Sequence, residues 1–295
     1  MNDLRNDTTD RSPACLDRPV LVTGTPRSGK TCVSWILERA EEFALANEPL
    51  MNWDPGLTGM KDDRLTADHA TPRIRARIVK GCANVVRRAN RRRYLEDLSY
   101  HALRIPFVHR VLPDAKIVHV IRNPRGAIPE MLYGWTQNDS VARAVLRRRQ
   151  HIHLRSLPRM VAQFARNYVR SRVSGSRASW GPRVPGLTEF AASHSVAEVA
   201  AFQWRMMVTI AREDLADLPQ DQVLEVRYES LIEQPREQIL RMAAFCEIDD
   251  PQPSLDYAAS FLDPNYEFEK VVEPTREDWA AIEEQIGELC ETLGY

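Results

Sequence analysis

Residues 19–31 read PVLVTGTPRSGKT, and this stretch carries the strongest signal for the fold. An apolar run ends at Gly24, and apolar residues then recur at intervals of three and four from Val33 to Phe43, which predicts a strand, a tight loop and a helix. Residues 24–31 match the pattern G-x-x-x-x-G-K-[ST], in which backbone amides and a helix N-terminus bind phosphate. We call residues 24–31 the phosphate loop. Because pattern and context agree, a phosphate site is favoured over a plain β-to-α turn.

The charges along the chain are segregated. The 295 residues have a formal net charge of −1, yet residues 64–186 hold 26 basic and 6 acidic side chains, whereas residues 187–295 hold 7 and 24. Arginine supplies 35 of the 40 basic residues, and its guanidinium group suits bidentate binding of phosphate or sulfate. The basic middle part of the chain therefore permits an anionic partner without identifying it.

Several classes of protein are excluded by composition. The longest stretch without Asp, Glu, Lys or Arg is eight residues, which is too short for a transmembrane helix. The first 17 residues lack the basic start and apolar core of a secretory signal, so we expect a flexible tail on a cytoplasmic protein. The five cysteines lie far apart and form no zinc pattern, so reduced thiols and no metal site are expected.

Strands and helices alternate along the rest of the chain. Residues 73–98 are predicted to be a helix with a basic face, and the β-branched run 117–121 is predicted to be a buried parallel strand. Asn123 and Pro124 are typical of a helix start, as is the capping box from Ser195 to Glu198. A strand at 223–228 and helices from 235 and from 275 follow. The pattern indicates an α/β fold with a parallel sheet.

The domain organisation expected from this pattern is simple. Residues 18–295 are predicted to form one domain after the tail of residues 1–17. The Gly-, Pro- and Ser-rich residues around 171–188 are predicted to be a loop or lid excursion.

Two classes of reaction use such a phosphate loop. A kinase or nucleoside triphosphatase also needs Mg²⁺, held by the loop Ser or Thr and by an Asp at the end of another strand. The two further strands recognised above end in Arg122 and in Arg227 and Tyr228, with no Asp. Since ligands of open α/β sheets bind at the carboxyl ends of the strands, Arg122 is expected to meet a second anionic group. A ligand with two separate phosphate groups, handled without metal, fits better than ATP with Mg²⁺.

Three segments resemble the landmarks of the PAPS-dependent sulfotransferases, where PAPS is 3′-phosphoadenosine 5′-phosphosulfate. They are TGTPRSGKT, LPDAKIVHVIRNPRG, and VRYESL followed by a helix that begins with proline, and the likeness is greatest to the bacterial and carbohydrate-type members. The resemblance implies a P-loop-like three-layer fold and sulfuryl transfer from PAPS, with 3′,5′-ADP as the product. It implies that the loop holds the 5′-phosphosulfate, with Arg27 at the leaving oxygens, and that Arg122 binds the 3′-phosphate. The expected donor-binding residues are Pro26, Arg27, Ser28, Gly29, Lys30, Thr31, Arg122 and Arg125.

Two positions depart from that family's pattern. The family usually has Thr or another small residue where Lys30 stands, so Lys30 either adds charge at the 5′-phosphate or indicates the kinase alternative. The family's second contact to the 3′-phosphate is a Ser at the position of Glu130, and a carboxylate repels phosphate. Either Arg125 or another arginine compensates, which the abundance of arginine favours, or the donor lacks the 3′-phosphate.

A sulfuryl transfer also needs a base for the acceptor proton. Glu48 lies where carbohydrate-type members of the resembling family often have a Glu, and it is the first candidate for this base. Arg27 and Lys30 are the other expected catalytic residues, which stabilise the charge on the leaving phosphate. His101 and His109 are alternatives for which a structural role is favoured. His151 and His153 do not form a zinc pair, because residues two apart face different sides of a helix.

Three functions remain open on the sequence. The first is a sulfotransferase acting on a hydroxyl acceptor, which is a carbohydrate, a lipid or a small metabolite. The second is a kinase or triphosphatase using Lys30 and, through Thr31, Mg²⁺. The third is a non-enzymatic binder of acidic polymer or lipid, which leaves the phosphate loop unexplained. No nucleic-acid-binding motif is present, while peripheral contact with a membrane is compatible with the basic segment.

Overall fold

The computed structural model describes residues 16–54, 60–136, 180–262 and 270–295. The strands in these ranges are β1 Val20–Gly24, β2 Phe43–Asn47, β3 Arg93–Asp97, β4 Lys116–Ile121 and β5 Val223–Arg227. They form one sheet in the order β2-β3-β1-β4-β5, and every neighbouring pair is parallel. The predicted α/β fold with a central parallel sheet is thereby confirmed.

The helices of the described residues flank this sheet. They are α1 Lys30–Glu38, α2 Leu50–Trp53, α3 Pro72–Ala89, α4 Ile105–Val111, α5 Pro124–Thr136, α6 Leu187–Ala191, α7 Val196–Ala216, α8 Tyr228–Glu233, α9 Pro235–Cys246, α10 Gln252–Phe261 and α11 Arg276–Leu293. Short 3₁₀ helices cover Ala67–His69, Ser99–Leu103 and Gln220–Gln222. None of these helices has both the length and the apolar character that a membrane span requires.

Alternation along the strands divides the core into two layers. Val20 and Val22 of β1 pack with α1, α9 and α10 on one face of the sheet, whereas Leu21 packs with α3 and α4 on the other. Because successive side chains of a strand point to opposite faces, an almost wholly apolar strand such as β1 needs helices on both sides. A further apolar cluster joins α5, α7 and α11 beyond the end of β4.

Some predicted segments fall outside the described residues. These are residues 1–15 of the predicted tail, residues 171–179 of the predicted excursion, and both His151 and His153. Within the described part, Leu16 is fully buried against the α3 and α4 layer. Of the remainder of the excursion, residues 180–186 lead into α6, and residues 187–188 are its first two residues.

The predicted helix starts are confirmed. Asn123 accepts a hydrogen bond from the Arg125 amide at 2.9 Å, and α5 begins at the intervening Pro124. At the start of α7, the Ser195 hydroxyl accepts from the Glu198 amide at 3.2 Å, and the Glu198 carboxylate accepts from the Ser195 amide at 2.9 Å. Both ends of that capping box are therefore formed.

The prediction of a continuous helix over residues 73–98 was wrong, because α3 ends at Ala89 and β3 follows. Asn90 adopts a left-handed conformation with φ of 52°, and its amide and that of Arg91 bond back to the last turn of α3. In β3, Arg93, Glu96 and Asp97 are buried although they are polar. Arg93 donates to the carbonyl oxygens of Arg18 and Cys246, each at 2.8 Å, so partners far along the chain permit the burial of a charge.

The first helix was also predicted too long. It ends at Glu38, and Phe43 belongs to β2 rather than to the apolar face of α1. Phe43 and Val33 still belong to one apolar cluster, so both lie in the core, although Phe43 is in a strand and not in the predicted helix. As a result, Glu48 follows a strand, not a helix.

We predict that Ser195→Ala lowers the free energy of unfolding by about 1 kcal/mol, because the Glu198 amide loses its side-chain acceptor. Urea unfolding followed by tryptophan fluorescence measures the change. Ser193→Ala is the control, since the Ser193 hydroxyl contacts the neighbouring His194 ring and caps no helix. Equal stability of the two variants would contradict the capping role.

Candidate functional site

The candidate site lies at the carboxyl edge of the sheet. In a parallel sheet the carboxyl ends of all strands meet at one edge, and ligands bind there. Gly24 of β1 is opposite Val120 of β4, and Asn47 of β2 is opposite Asp97 of β3. The phosphate loop, Glu48 and Arg122 follow three of these strands, so the fold brings the main predicted site residues to one edge.

The phosphate loop is shaped by two glycines in positions that a side chain cannot occupy. Gly24 has φ of 154°, and a Cβ atom there would lie 2.2 Å from the Val120 carbonyl oxygen. Gly29 has φ of 89°, and its Cβ would lie 2.2 Å from Cδ2 of Tyr228. Arg27 is also left-handed, with φ of 67°. This path delivers the chain into α1 at Lys30, where the first amides of the helix have no intrahelical partner.

Lys30 is clamped between two carboxylates. Its Nζ lies 3.4 Å from Asp97 Oδ2 and 3.5 Å from Glu48 Oε1, and its side chain is 6% exposed. The Asp97 side chain is fully buried, whereas that of Glu48 is 48% exposed. Burying a charged group is costly unless it is paired, and these two carboxylates supply the pairing. The lysine and the candidate base are therefore held in direct contact.

Asp97 connects the loop to the strand beside it. Its Oδ2 accepts a hydrogen bond of 2.6 Å from the Thr31 hydroxyl, and its Oδ1 accepts one of 3.1 Å from the Glu48 amide. Glu48 itself is left-handed, with φ of 43°. One buried carboxylate thus fixes the position of Thr31, Lys30 and the residue after β2.

Sequence reasoning missed Asp97, so its premise that no further strand ends in Asp was wrong. The statement that no further strand ends in Asp was based on two strands, whereas β3 ends at Asp97 next to β1. The signal available was weak: Asn90, a residue that tolerates the left-handed conformation, followed by Tyr94 and Leu95 among charged residues. The lack of a strand-end Asp therefore no longer argues against the kinase alternative.

Arg122 lies at the second part of the site and is paired with Glu130. Its Nη1 is 2.6 Å from Glu130 Oε1 and donates to the Arg27 carbonyl oxygen at 3.0 Å. The guanidinium lies over the Tyr228 ring, with its carbon 4.8 Å from the ring centre. Side-chain exposure is 11% for Arg122 and 4% for Glu130. The pair is therefore enclosed between the phosphate loop, α5 and Tyr228.

Burial raises the pKa of Glu130, while the charge and hydrogen bond of Arg122 and the charge of Arg27 act in the opposite direction. Arg125 does not join this pair, because its guanidinium bonds to Glu283 of α11 and lies over the Trp279 ring. Arg122 is thus the direct partner of Glu130, whereas Arg125, one of the arginines expected to compensate for Glu130, bonds to Glu283.

Two loop hydroxyls are buried without a hydrogen-bond partner among the described residues. They belong to Thr25 and Ser28, which are 2% and 0% exposed. Buried polar groups are nearly always satisfied in folded proteins, and orphaned ones call for a ligand or water. Phosphate oxygens at the loop would supply acceptors for both. The loop thus fits the anion that its sequence pattern predicts.

The remaining candidates occupy different environments. His101 is buried on the α3 and α4 side of the sheet, and its Nε2 lies 2.7 Å from Glu96 Oε1. The Trp53 and His101 rings meet edge to face, with 4.6 Å between their centres. His109 is half-buried on α4. Glu48 is therefore the candidate base that contacts the phosphate loop, through Lys30.

Residues of the predicted excursion border the loop. The Trp180 ring lies 6.0 Å from the Arg27 guanidinium, and Gly181 adjoins Pro26, to which a Cβ would approach within 3.4 Å. Gln203 of α7 holds this segment by donating to the carbonyl oxygens of Trp180 and Pro182. An aromatic surface is thus placed beside the cationic end of the loop.

The site can bind an anion at the loop and offers a carboxylate beside it. Within the described residues, no group of three or more His, Cys, Asp or Glu side chains is arranged to hold a metal ion. Thr31 and Asp97 are nevertheless the pair of oxygen ligands that a metal-dependent nucleotide site uses. Two chemistries therefore remain compatible with the geometry.

Comparison with known proteins gives the following matches. The family model described as "Sulfotransferase family" matches residues 19–173 and 159–252. The sulfotransferase domain from the curacin biosynthetic pathway is 13% identical, with a TM-score of 0.48 over 92% of this chain and 98% of that one. That of the Synechococcus PCC 7002 olefin synthase is 17% identical, with a TM-score of 0.46 over 97% and 98%. Mouse sulfotransferase SULT7A1, complexed with PAP, is 12% identical, with a TM-score of 0.48 over 95% and 87%. No curated protein matches the chain.

We predict that Asp97→Ala lowers the free energy of unfolding by about 3 kcal/mol or more, because it removes the buried partner of Lys30 and the acceptor of Thr31. Asp97→Asn keeps an acceptor for Thr31 and is expected to lower the free energy of unfolding by a smaller amount. Urea unfolding measures both. Asp221→Ala, at the exposed 3₁₀ helix before β5, is the control. A loss no greater than that of the control would show that Asp97 does not organise the loop.

Proposed function

Because the chain belongs to the sulfotransferase family, we propose that it transfers a sulfuryl group from an adenosine phosphosulfate nucleotide to the hydroxyl of an acceptor. The family is one of transferases, so the hypothesis of a non-enzymatic binder is set aside. The resemblance implies PAPS as the donor and 3′,5′-ADP as the product. Adenosine 5′-phosphosulfate, which lacks only the 3′-phosphate, carries the same reacting group. The observation that carries the proposal is the phosphate loop with Glu48 held beside Lys30.

The loop supports binding of the 5′-phosphosulfate. The helix N-terminus after Gly29 presents backbone amides, and the orphaned hydroxyls of Thr25 and Ser28 are available as donors. Lys30 supplies a positive charge inside the fold that Asp97 and Glu48 partly offset, and Arg27 supplies another at the exposed side of the loop. Cations that are already in position when the reaction begins stabilise the charge that develops on a leaving phosphate.

The proposed step is an in-line displacement at sulfur. The acceptor oxygen forms a bond to sulfur while the bond from sulfur to the 5′-phosphate oxygen breaks, and the nucleotide leaves with the electron pair of that bond. Lys30 and Arg27 stabilise the leaving phosphate. Glu48 accepts the acceptor proton, for which its half-exposed carboxylate is reachable from solvent. Lys30 holds this carboxylate by its charge, and the Asp97 bond to the Glu48 amide positions the backbone.

The acceptor is proposed to be a hydroxyl compound bound on the open side of the loop. Trp180 and the segment that follows it border this side, next to Arg27. An aromatic ring offers a flat surface for a sugar, an aromatic or a lipid acceptor alike, so it does not choose among them.

One observation favours a second candidate function. The Thr31 hydroxyl and the Asp97 carboxylate are 2.6 Å apart beside a literal G-x-x-x-x-G-K-T loop. In kinases and triphosphatases these two residue types hold Mg²⁺ at the nucleotide. The alternative is therefore an enzyme that uses ATP with Mg²⁺ and transfers or hydrolyses its terminal phosphate.

Calorimetric titration separates the two functions. We expect AMP or 3′,5′-ADP to bind in the presence of EDTA, because sulfuryl transfer at this loop is proposed to need no metal. ATP is expected to gain little from added Mg²⁺. Binding of ATP that requires Mg²⁺, with no binding of AMP or 3′,5′-ADP in EDTA, would overturn the proposed function in favour of the second candidate.

We predict that Glu48→Gln lowers kcat for sulfuryl transfer by about 10²-fold or more while the affinity for the nucleotide product changes little, because a positioned base is lost. Turnover is measured as nucleotide release from the phosphosulfate donor with a panel of hydroxyl acceptors. Glu41→Gln is the control, since Glu41 is exposed near the opposite end of β2. Equal kcat in both variants would remove Glu48 as the base.

A further inference from the structure

The buried ion pair of Arg122 and Glu130 is unusual for a site that receives phosphate. The two side chains are 11% and 4% exposed and 2.6 Å apart. The guanidinium has two further contacts: Tyr228 stacks on it, and the Arg27 carbonyl oxygen accepts from it. Gly126 lies beside it, where an added Cβ would come within 3.2 Å of its Nε and Nη2. Arg122 is therefore held towards Glu130 by its surroundings.

The charges of Arg122 and Glu130 offset each other. A phosphate monoester carries between one and two negative charges at neutral pH, and Arg122 offers one positive charge that Glu130 already offsets. A phosphate bound to Arg122 would also meet the Glu130 carboxylate, because one nitrogen of Arg122 touches that carboxylate. Moving Arg122 away instead would leave a buried carboxylate unpaired, which is strongly destabilising.

Of the other arginines near this pair in the described part of the chain, one is paired elsewhere and one adds positive charge. Arg125 bonds to Glu283. Arg27 acts on Glu130 by its charge, but its backbone carbonyl, not its guanidinium, contacts Arg122. A dianion at Arg122 would therefore gain from the charge of Arg27 but would still meet the Glu130 carboxylate directly.

A neutral hydroxyl suits the same pair. It can donate a hydrogen bond to the Glu130 carboxylate and accept one from a guanidinium, and it brings no charge. Nucleotide-binding folds use this chemistry at the ribose: an acidic residue binds a free hydroxyl, and an arginine accommodates a phosphate at that hydroxyl. Here the acidic residue is present and is paired with the arginine.

We propose that the ribose of the donor binds at Arg122 and Glu130 through a free 3′-hydroxyl, so that the donor is an adenosine 5′-phosphosulfate without a 3′-phosphate. The inference rests on the proposed function, in which the resemblance places the 3′ position of the ribose at Arg122. In the reaction, the acceptor oxygen bonds to sulfur, the bond from sulfur to the 5′-phosphate oxygen breaks, and AMP leaves. The acceptor proton goes to Glu48.

The test compares AMP with 3′,5′-ADP as ligands of the full chain by calorimetry in EDTA. We expect the unaltered chain to bind AMP about tenfold or more tightly than 3′,5′-ADP, because the added phosphate meets Glu130. Glu130→Ser is expected to reverse this preference, since it leaves Arg122 uncompensated. Glu130→Gln keeps the size of the side chain and replaces Glu130→Ser in the test if that variant fails to fold. It is expected to reduce the ratio of AMP affinity to 3′,5′-ADP affinity. Glu288→Ser, which removes an exposed carboxylate of α11, is the control and should keep the preference of the unaltered chain.

The outcomes separate this inference from the proposed function. Tighter binding of 3′,5′-ADP by the unaltered chain, or an unchanged preference in both Glu130 variants, overturns the 3′-hydroxyl donor and leaves sulfuryl transfer standing. Binding of neither nucleotide, or nucleotide binding only as ATP with Mg²⁺, overturns the proposed function itself. Turnover assays with both phosphosulfates give a second readout, in which AMP release exceeding 3′,5′-ADP release supports the inference and the reverse contradicts it.

Discussion

The arrangement of the site depends on the hydrogen bonds and charge contacts of one buried carboxylate, Asp97. It accepts hydrogen bonds from the Thr31 hydroxyl and the Glu48 amide and forms an ion pair with the Lys30 ammonium. It therefore joins the start of α1 to the ends of β2 and β3. A fully buried carboxylate is tolerated only where donors and a cation surround it. The neighbouring backbone is equally constrained, because Gly24 packs against the Val120 carbonyl and Gly29 against Tyr228. The phosphate loop therefore has its position fixed from two sides, by the sheet and by α8.

A second theme is that the buried cations of the site are paired with carboxylates. Lys30 contacts Asp97 and Glu48, and Arg122 contacts Glu130. Such pairing reduces the net positive charge available to a ligand in both halves of the site, so the other hydrogen-bond donors decide what each half accepts. At the loop, backbone amides and orphaned hydroxyls still favour an anion. At Arg122, where Nη1 donates to Glu130, a neutral hydroxyl would bring no second negative charge beside that carboxylate. Although the sequence concentrates basic residues in its middle part, individual acidic residues thus offset individual basic ones at the site.

The sequence predicted those elements whose signals are local. The loop pattern, the apolar run of β4, and the caps at Asn123 and Ser195 were recognised because turn glycines, β-branched residues and capping side chains act within a few residues. Strand β3 was missed because its burial depends on distant partners: Arg93 is satisfied by carbonyl groups of residues 18 and 246. Asp97 was missed with it, and so was the strongest argument for a metal-dependent alternative. Glu130 was recognised as out of place, but its partner could not be read from spacing alone.

The sequence by itself determined that this chain has a parallel α/β sheet with a phosphate loop after its first strand, since these follow from short-range patterns of apolar and turn residues. Only the tertiary structure decided which charges meet. Lys30 and Asp97 are 67 residues apart, and Arg122 reaches the carbonyl of a residue 95 positions away. Contacts over such distances arise because parallel strands bring their carboxyl ends to one edge of the sheet, whatever their separation along the chain. Whether a charge is free to bind a ligand or already neutralised is therefore a property of the fold.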